Sequence, residues 1–287
     1  MTLIELLQTH LPAYAVQVMR LCVWLLLLSV IFIPLERFFA LHSSSLKAST
    51  KLQDIAYYFL TSLVPMALLG IPMALLAVLM QQCLPDGYVA AVAQLPVAVR
   101  WALVFVVGEI GFYWGHRLCH ETPWLWRFHA VHHAPEHLYF LVNTRAHPVD
   151  IVVTRLFGFV PIYVLGLAGP GSAGNAAPVM LIVLGTLWGF FIHSNLRVRL
   201  GPLEWLLSTP AFHHWHHSRV DHINRNYAAM LPVLDKLFGS YYLPSKWPSQ
   251  YGSQTLLPPT LSGQLLAPFQ PYQRSEPEPR EPQAHRL

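Results

Sequence analysis

The chain has 287 residues, of which 54% are hydrophobic and only 11% carry a charge, and its mean hydropathy is positive. This composition favours a protein whose solvent is a lipid bilayer and argues against a soluble globular domain. The formal charge of +4 arises from basic residues scattered among hydrophobic segments, which excludes a coherent nucleic-acid-binding surface.

Five stretches approach the length of about 20 apolar residues that a helix needs to cross the hydrocarbon core. They lie at residues 15–36, 56–82, 96–115, 151–169 and 177–195. The linker LAGPGSAGNAAP between the last two suits a tight hairpin and equally a re-entrant pair, so four or five full spans are both open. The sequence therefore predicts an all-α fold, a polytopic membrane helical bundle of four to five spans.

The two ends of the chain and its cysteines give further expectations. The first residues lack a basic cluster and a small-residue cleavage site, so we expect an uncleaved first span. Cys22, Cys83 and Cys119 are widely spaced, which predicts neither a disulfide framework nor a thiolate zinc site. Residues 258–287 are rich in proline and mixed charges, and we interpret them as a disordered or surface-draped tail.

Loop charges set the expected orientation. Arg37, Lys47 and Lys51 follow the first stretch, whereas the loop QQCLPDGY after the second is weakly charged. The positive-inside rule then places the first loop in the cytoplasm. The third and fifth stretches return to that side, so we expect the histidine-rich segments that follow them to form a helical cap at the cytoplasmic face.

Thirteen of the sixteen histidines fall between His116 and His222. Three clusters, HRLCH, HAVHH and HHWHH, space histidines three or four residues apart, which puts each set on one helical face. The sets are His116 and His120; His129, His132 and His133; and His213, His216 and His217. Eight imidazoles are too many for one tetrahedral zinc, and they fit two metals with room left for water, oxygen or a bridging ligand.

A single HxxxH pair is most often coincidence, but three clusters together favour metal binding, since burying so many unpaired imidazoles would be costly. His193, near the end of the fifth stretch, is a candidate ninth ligand. His147, His214 and His222 remain open as ligands, and we interpret His10, His42 and His285 as bystanders.

Glu109 is an ionisable residue inside the third stretch, where a charge is expensive. It lies seven residues before His116 on the same helical face, so it is a candidate for fixing the tautomer of a metal-bound histidine or for carrying a proton. The alternatives are a pair with Arg100 or a snorkelling side chain.

The motifs EIGFYWGHRLCH, HAVHH, NTRAHPVD, FFIHSN, TPAFHHWHHS and NRNYAAMLPVLDKLFGSYY together resemble the fatty acid hydroxylase and sterol desaturase superfamily, from Glu109 to Tyr242. The resemblance implies a non-haem centre of two iron ions held by three histidine boxes, which the three clusters match, and by His193, which matches the histidine before the third box. It also implies O2 as co-substrate and hydroxylation, desaturation or, in some branches, ether cleavage. On this basis we expect residues 1–95 to form N-terminal transmembrane helices and residues 96–257 the catalytic domain.

Two departures from the family pattern matter. Asn226 and Tyr227 are followed by Ala228, where members often have glycine, which puts a close backbone turn in question. The chain has no recognisable cytochrome domain or ferredoxin-type cysteine set, so the electrons would come from a separate reductase, ferredoxin or cytochrome. The expected substrate is a lipid that enters from the bilayer, which acyl chains, sterols, carotenoids and ether lipids would all satisfy.

Other interpretations use the same residues. Trp114, Trp124, Trp126 and Trp215 lie near the clusters and would line a substrate pocket or belong to an interfacial aromatic belt. A zinc-dependent membrane hydrolase is an alternative enzyme, although no HExxH motif is present. A haem-carrying electron-transfer protein or a metal transporter is the non-enzymatic alternative.

Overall fold

A computed structural model describes residues 11–43, 46–168, 176–220 and 222–271, apart from the side chains of residues 176–180 and 182. Within these ranges the regular structure consists of helices, and no β-strand is present. The all-α prediction is therefore confirmed. Ten α-helices occur in the described ranges: α1 Ala13–Phe38, α2 Ala48–Cys83, α3 Asp86–Gln94, α4 Val97–Glu121, α5 Pro123–His133, α6 Pro148–Val164, α7 Ala176–His193, α8 Pro210–His216, α9 Val233–Leu237 and α10 Leu261–Leu266.

Three of these helices, α1, α2 and α4, are long and apolar enough to cross a membrane. They correspond to the first three predicted stretches, and α1 presents side chains such as Leu26 and Val30 outward, as contact with lipid requires. The fourth and fifth stretches correspond to α6 and α7, which have 17 and 18 residues. Most of the linker between them, residues 169–175, lies outside the described residues, and the count of four or five spans stays a prediction.

Proline begins each of the helices that carry the second and third histidine clusters. Pro123 stands at the start of α5 and Pro210 at the start of α8, where the missing N–H costs no intrahelical hydrogen bond. The Thr209 hydroxyl caps α8 by accepting a hydrogen bond from the Phe212 N–H at 3.3 Å. The short helices that present the histidines are thus fixed at their first residues.

Helix α4 packs most closely against α6. A Cβ atom on Gly111 would overlap the backbone carbonyl of Phe157, and one on Gly115 would lie 2.7 Å from the Phe157 Cβ. Small residues let two helices approach at backbone distance. This approach brings the start of α6, with Asp150, beside the histidines at the end of α4.

Part of the tail that was predicted to be disordered or surface-draped has regular structure. Residues after Pro258 form α10 and a 3₁₀ turn, Ala267–Phe269, and they pack against the helices. The Tyr57 hydroxyl of α2 donates a hydrogen bond to Gln264 at 2.9 Å, and the ring of Phe269 contacts that of Phe128 on α5. The stretch is ordered despite its prolines because its side chains pack against α2 and α5. Residues 272–287 lie outside the described residues. The division at residues 95 and 96 stays a prediction.

Candidate metal centre

The nine histidines predicted as ligands lie in two adjacent buried groups. In each group one nitrogen from every ring lies within 4.8 Å of the others. We call the first the five-histidine group: His116, His120, His129, His133 and His216. The four-histidine group consists of His132, His193, His213 and His217. The groups adjoin, since the rings of His133 and His217 stack with their centroids 4.3 Å apart.

The groups do not follow the three sequence clusters. Helix α5 contributes His129 and His133 to the five-histidine group and His132 to the four-histidine group. The third cluster, on and just after α8, is divided in the same way, with His216 in one group and His213 in the other. Both helices therefore lie between the two candidate metal positions.

Backbone carbonyls fix the tautomers of four of these histidines. A carbonyl oxygen only accepts, so an Nδ1 atom in contact with one must carry the ring proton of a neutral imidazole. The four contacts are His116 Nδ1 to Tyr227 O at 2.7 Å, His132 Nδ1 to Arg145 O at 3.1 Å, His193 Nδ1 to Gly189 O at 2.7 Å and His216 Nδ1 to Arg225 O at 2.9 Å. Each Nε2 atom is then left with a lone pair.

These lone pairs converge. The Nε2 atoms of His132 and His193 are 3.1 Å apart, although both rings carry their proton on Nδ1. Neither nitrogen can donate, so the contact is repulsive unless a cation lies between them. Two nitrogens each about 2.1 Å from one ion and at right angles would be roughly 3 Å apart, which matches the spacing. The donor set therefore fits a metal ion.

An unpaired nitrogen in the five-histidine group agrees with this assignment. Nε2 of His216 is buried without a hydrogen-bond partner in the described structure. An unsatisfied buried polar atom is expensive, and coordination of a cation would satisfy it. An octahedral ion held by five or by four imidazoles would keep positions open for other ligands.

Five of the grouped histidines, all outside the long membrane-spanning helices, are held uncharged. Burial and the neighbouring His129 imidazole lower the pKa of His132 to about 4. Burial and the neighbouring imidazoles also lower the pKa of His133, His213, His216 and His217 well below the ordinary value. A neutral imidazole is the form that binds metal, so these rings are ready to do so at neutral pH.

Asp150, which the sequence analysis did not single out, is the carboxylate that contacts a grouped histidine. Its Oδ1 atom lies 2.9 Å from Nδ1 of His129, and both side chains are buried. A carboxylate behind a metal-binding histidine orients the ring and raises its basicity. The only sequence signal was its position two residues after Pro148 in NTRAHPVD, where an acid at a helix start is ordinary.

A second buried acid, Asp54, contacts a residue that in turn contacts a grouped histidine. Asp54 of α2 accepts from Arg145 Nη1 at 3.1 Å and from the Tyr139 hydroxyl at 2.5 Å. The carbonyl of that same Arg145 orients His132. Helix α2 thus helps position a member of the four-histidine group.

Glu109 lies beside the centre but contacts backbone. Its Oε2 atom accepts hydrogen bonds from the N–H groups of Met230, at 2.8 Å, and Leu231, at 3.2 Å. The Nδ1 atom of His116 instead contacts the Tyr227 carbonyl. Glu109 therefore holds the segment that follows Tyr227, and its predicted role in fixing a histidine tautomer or carrying a proton stays a prediction.

The turn at Asn226 forms without glycine. Asn226 adopts a φ of 59°, which asparagine tolerates, and its side-chain amide donates to the carbonyls of Phe212 and Tyr242. The N–H groups of Tyr227 and Ala228 donate to the Asp235 carboxylate at 2.7 and 2.9 Å. These contacts aim the Tyr227 carbonyl at His116.

The three histidines left open as ligands lie outside both groups. His214 is buried with Nδ1 against the Tyr251 hydroxyl and Nε2 against the Ser194 carbonyl. The Nδ1 atom of His147 accepts a hydrogen bond from the Val149 N–H at the start of α6. His222 stacks on Tyr242 with ring centroids 3.7 Å apart. Of the predicted bystanders, His42 pairs with Tyr251 at 3.3 Å, while His10 and His285 lie outside the described residues.

A cavity of about 550 Å³ lies among α1, α2, α4, α6 and α7 and reaches both histidine groups. Its wall is mostly apolar, with residues such as Leu28, Met66, Phe112 and Phe190, and its inner end includes His116 and His132. A cavity of this size and character suits the apolar part of a ligand.

The tryptophans predicted as pocket lining do not line this cavity. Trp114 and Trp124 are exposed, and Trp215 is buried with its Nε1 atom donating to the Lys246 carbonyl. Trp126 lines a separate small pocket beside His120 and His133. The tryptophan in the wall of the large cavity is Trp24 of α1.

The segment that contains the histidine groups also matches a family of known proteins. Residues 101–240 match the fatty acid hydroxylase family. The chain is 37% identical to ornithine lipid hydroxylase OlsE of Rhizobium tropici, over 53% of this chain and 45% of that protein. It is 33% identical to alkylglycerol monooxygenase of Homo sapiens, over 49% and 30% of the two lengths.

A further relative is very-long-chain aldehyde decarbonylase GL1-11 of Oryza sativa subsp. indica, which is 33% identical over 47% of this chain and 50% of that protein. The chain thus spans no more than about half the length of these relatives. No solved structure matches. Residues 101–240, which contain all nine grouped histidines, thus match the fatty acid hydroxylase family, and the relatives support the predicted fatty acid hydroxylase and sterol desaturase superfamily.

Proposed function

We propose that this integral membrane protein is a non-haem di-iron oxidoreductase that uses O2 and electrons from a separate donor to hydroxylate or desaturate a lipid. The observation that carries the proposal is the convergence of nine imidazoles on two adjacent positions at the inner end of an apolar cavity. The names of the relatives, two of which are a lipid hydroxylase and an alkylglycerol monooxygenase, support a lipid as substrate.

Two iron ions, when bound, would supply the activation of O2 for attack on a C–H bond. The nine histidines would hold them, and the carbonyls behind four of the rings would keep each lone pair aimed inward. Asp150 would increase the basicity of His129. These contacts hold the ligands in place before any metal arrives, so little reorganisation would be needed.

The cavity wall would provide the rest of the site. Its apolar side chains exclude water and hold an alkyl chain against the histidines. Glu109 reaches the same cavity, and we assign it a supporting role because it fixes the Met230 and Leu231 backbone next to the segment that orients His116. Holding the C–H bond at a fixed distance would set which carbon reacts.

We further propose that the centre faces the cytoplasm and that a reductase, ferredoxin or cytochrome delivers the electrons there. Lys47 lies in the first loop and Lys51 in the first turn of α2, and basic residues at this edge of the membrane favour the cytoplasmic side. A cysteine placed at the exposed Ile223, in a chain without its native cysteines, should react with a membrane-impermeant thiol reagent only after the cells are opened. Labelling of intact cells would put the centre on the other side.

Isotope labelling under ¹⁸O2 tests the reaction. The chain is expressed in a host of defined lipid composition, and the lipids are compared by mass spectrometry with those of a host expressing the His132→Ala/His216→Ala variant. We expect species that gain one labelled oxygen or lose two hydrogens, made only by the unmodified chain, and iron in the purified protein. Zinc in the protein together with turnover in the absence of O2 would instead support a metal-dependent hydrolase.

A further inference from the structure

Arg155 is a cation in the wall of the large cavity that has no partner in the described structure. It lies on α6, is half-buried, and makes neither a hydrogen bond nor an ion pair with any described residue. The other buried arginines behave differently. Arg145 pairs with Asp54, and Arg100 hydrogen bonds to the Ala93 carbonyl.

The two carboxylates that share this cavity are already engaged. Asp150 contacts His129, and Glu109 accepts two backbone hydrogen bonds. A charged side chain within an apolar membrane bundle is costly without compensation and marks a site of function by default. A ligand that enters the cavity would supply this compensation.

The position of Arg155 relates that ligand to the metal centre. Asp150, Ile151, Thr154 and Arg155 form one lining stripe of α6. Arg155 lies five residues beyond Asp150, which is about 7.5 Å along the helix axis. The cavity wall that contains Arg155 also contains Asp150, His129 and His132. A group bound there would lie close to the reacting end of the cavity.

We propose that Arg155 binds the oxyanion, a carboxylate or a phosphate, of an anionic lipid whose alkyl chain occupies the cavity. A guanidinium presents a planar fork of N–H donors that matches both oxyanions. This proposal specifies the lipid substrate of the proposed function and rests on that function. The attacked carbon of the lipid lies near its anionic group and away from the end of its chain.

A binding measurement without turnover tests this proposal. The full-length protein with its metals is placed in nanodiscs of zwitterionic lipid, under anaerobic conditions without a reductant. Tritiated palmitate is compared with hexadecanol, and tritiated palmitoyl glycerol phosphate with palmitoyl glycerol, at a pH where both acids are ionised. We expect one or both anions to bind about tenfold more tightly than the matched neutral lipid, because a charge-assisted hydrogen bond is lost in the neutral one.

The variants separate this role from a structural one. Arg155→Gln should lose the preference for the anion while still binding the neutral lipid, and Arg155→Lys should keep part of it. Arg20→Gln is the matched control, since Arg20 is a basic residue of α1 that is exposed and does not line the cavity. It should leave the preference unchanged.

The proposal is overturned if the unmodified protein binds each anion and its neutral partner equally, or if Arg155→Gln keeps the preference. If Arg155→Gln does not fold, the preference for the anion can still be compared between Arg155→Lys and the unmodified protein. Which of the two anions is preferred distinguishes carboxylate from phosphate. No oxidation occurs in this assay. The absence of a preference for the anion can therefore be distinguished from the absence of lipid oxidation in the ¹⁸O2 experiment.

Discussion

The contact made by Nδ1 distinguishes four of the grouped histidines from His214. In His116, His132, His193 and His216 this atom donates to a carbonyl, which leaves Nε2 free with a lone pair. In His214, by contrast, both ring nitrogens have partners. A histidine with one nitrogen tied and the other free is preorganised to bind metal.

The first prediction concerns one ligand from each group. His132→Ala and His216→Ala should each abolish activity and lower the iron content measured by mass spectrometry of the purified protein, because each removes a ligand from a different position. The control is His222→Ala, a histidine outside both groups, which should keep its iron. Full activity with retained iron in both ligand variants would refute the ligand assignment.

A second prediction follows from the carboxylate of Asp150. Asp150→Asn should reduce metal affinity about 10- to 100-fold in a chelator competition, since His129 loses its charged partner. The exposed Asp86 at the start of α3 offers a matched control, and Asp86→Asn should not change the affinity. Equal affinity for all three proteins would contradict the role of Asp150.

For Glu109→Gln we expect partial loss of activity with most of the iron kept. A glutamine oxygen can still accept the hydrogen bonds from Met230 and Leu231, so the backbone near His116 should hold its place. The measurements are turnover and iron content of the same preparation. Iron loss as large as that of His216→Ala would make Glu109 a ligand.

Among the elements, the pair α4 and α6 determines whether the centre can assemble. Helix α4 carries His116 and His120, and α6 carries Asp150 and Arg155. Glycines on α4 allow the two backbones to approach, so a lining residue of α6 lies beside histidines that come from α4 and α5.

Gly111→Ala tests this packing. The added methyl group would overlap the Phe157 carbonyl, so we expect a loss of stability of about 1–3 kcal/mol and a lower melting temperature in detergent. Gly185→Ala on α7 is the control, because a Cβ atom there meets nothing within 4 Å, and it should be neutral or slightly stabilising. The same loss in both variants would argue against a close contact at Gly111.

Across the whole molecule the metal centre joins segments that are far apart in sequence. Histidines from α4, α5, α7 and α8 meet there, and Glu36 of α1 ties the end of α7 to the chain near Phe140 through the N–H groups of Asn195 and Phe140. A ligand that binds only the folded state adds its binding free energy to stability.

Chelation should therefore lower the melting temperature of the whole protein. At metal concentrations 1,000 times the dissociation constant, binding contributes about 4 kcal/mol, and removal of the metals would lose it. The His132→Ala/His216→Ala variant should show little further change on chelation. An unchanged melting temperature of the unmodified protein would mean that the histidine groups fold without metal.

Features that repeat along one helix could be predicted from the sequence. The nine grouped histidines are the nine predicted ligands, and the first three predicted stretches are the three helices long and apolar enough to cross a membrane. Helical periodicity and apolar length are local properties, and each is visible within about twenty residues. The helix α10 after Pro258 contacts distant helices, which no local pattern in the proline-rich tail reveals.

The tertiary structure decided which histidines share a position, which groups lie behind them and where the cavity runs. His129 and His132 are near neighbours on one helix, yet they belong to different groups. His116 is oriented by Tyr227, 111 residues away, and the carboxylate behind His129 belongs to Asp150, not Glu109. A short motif fixes which side chains share a helical face, but what each face meets depends on the packing of separate helices. The ligand candidates were therefore determined by the sequence, and their division into two groups by the fold.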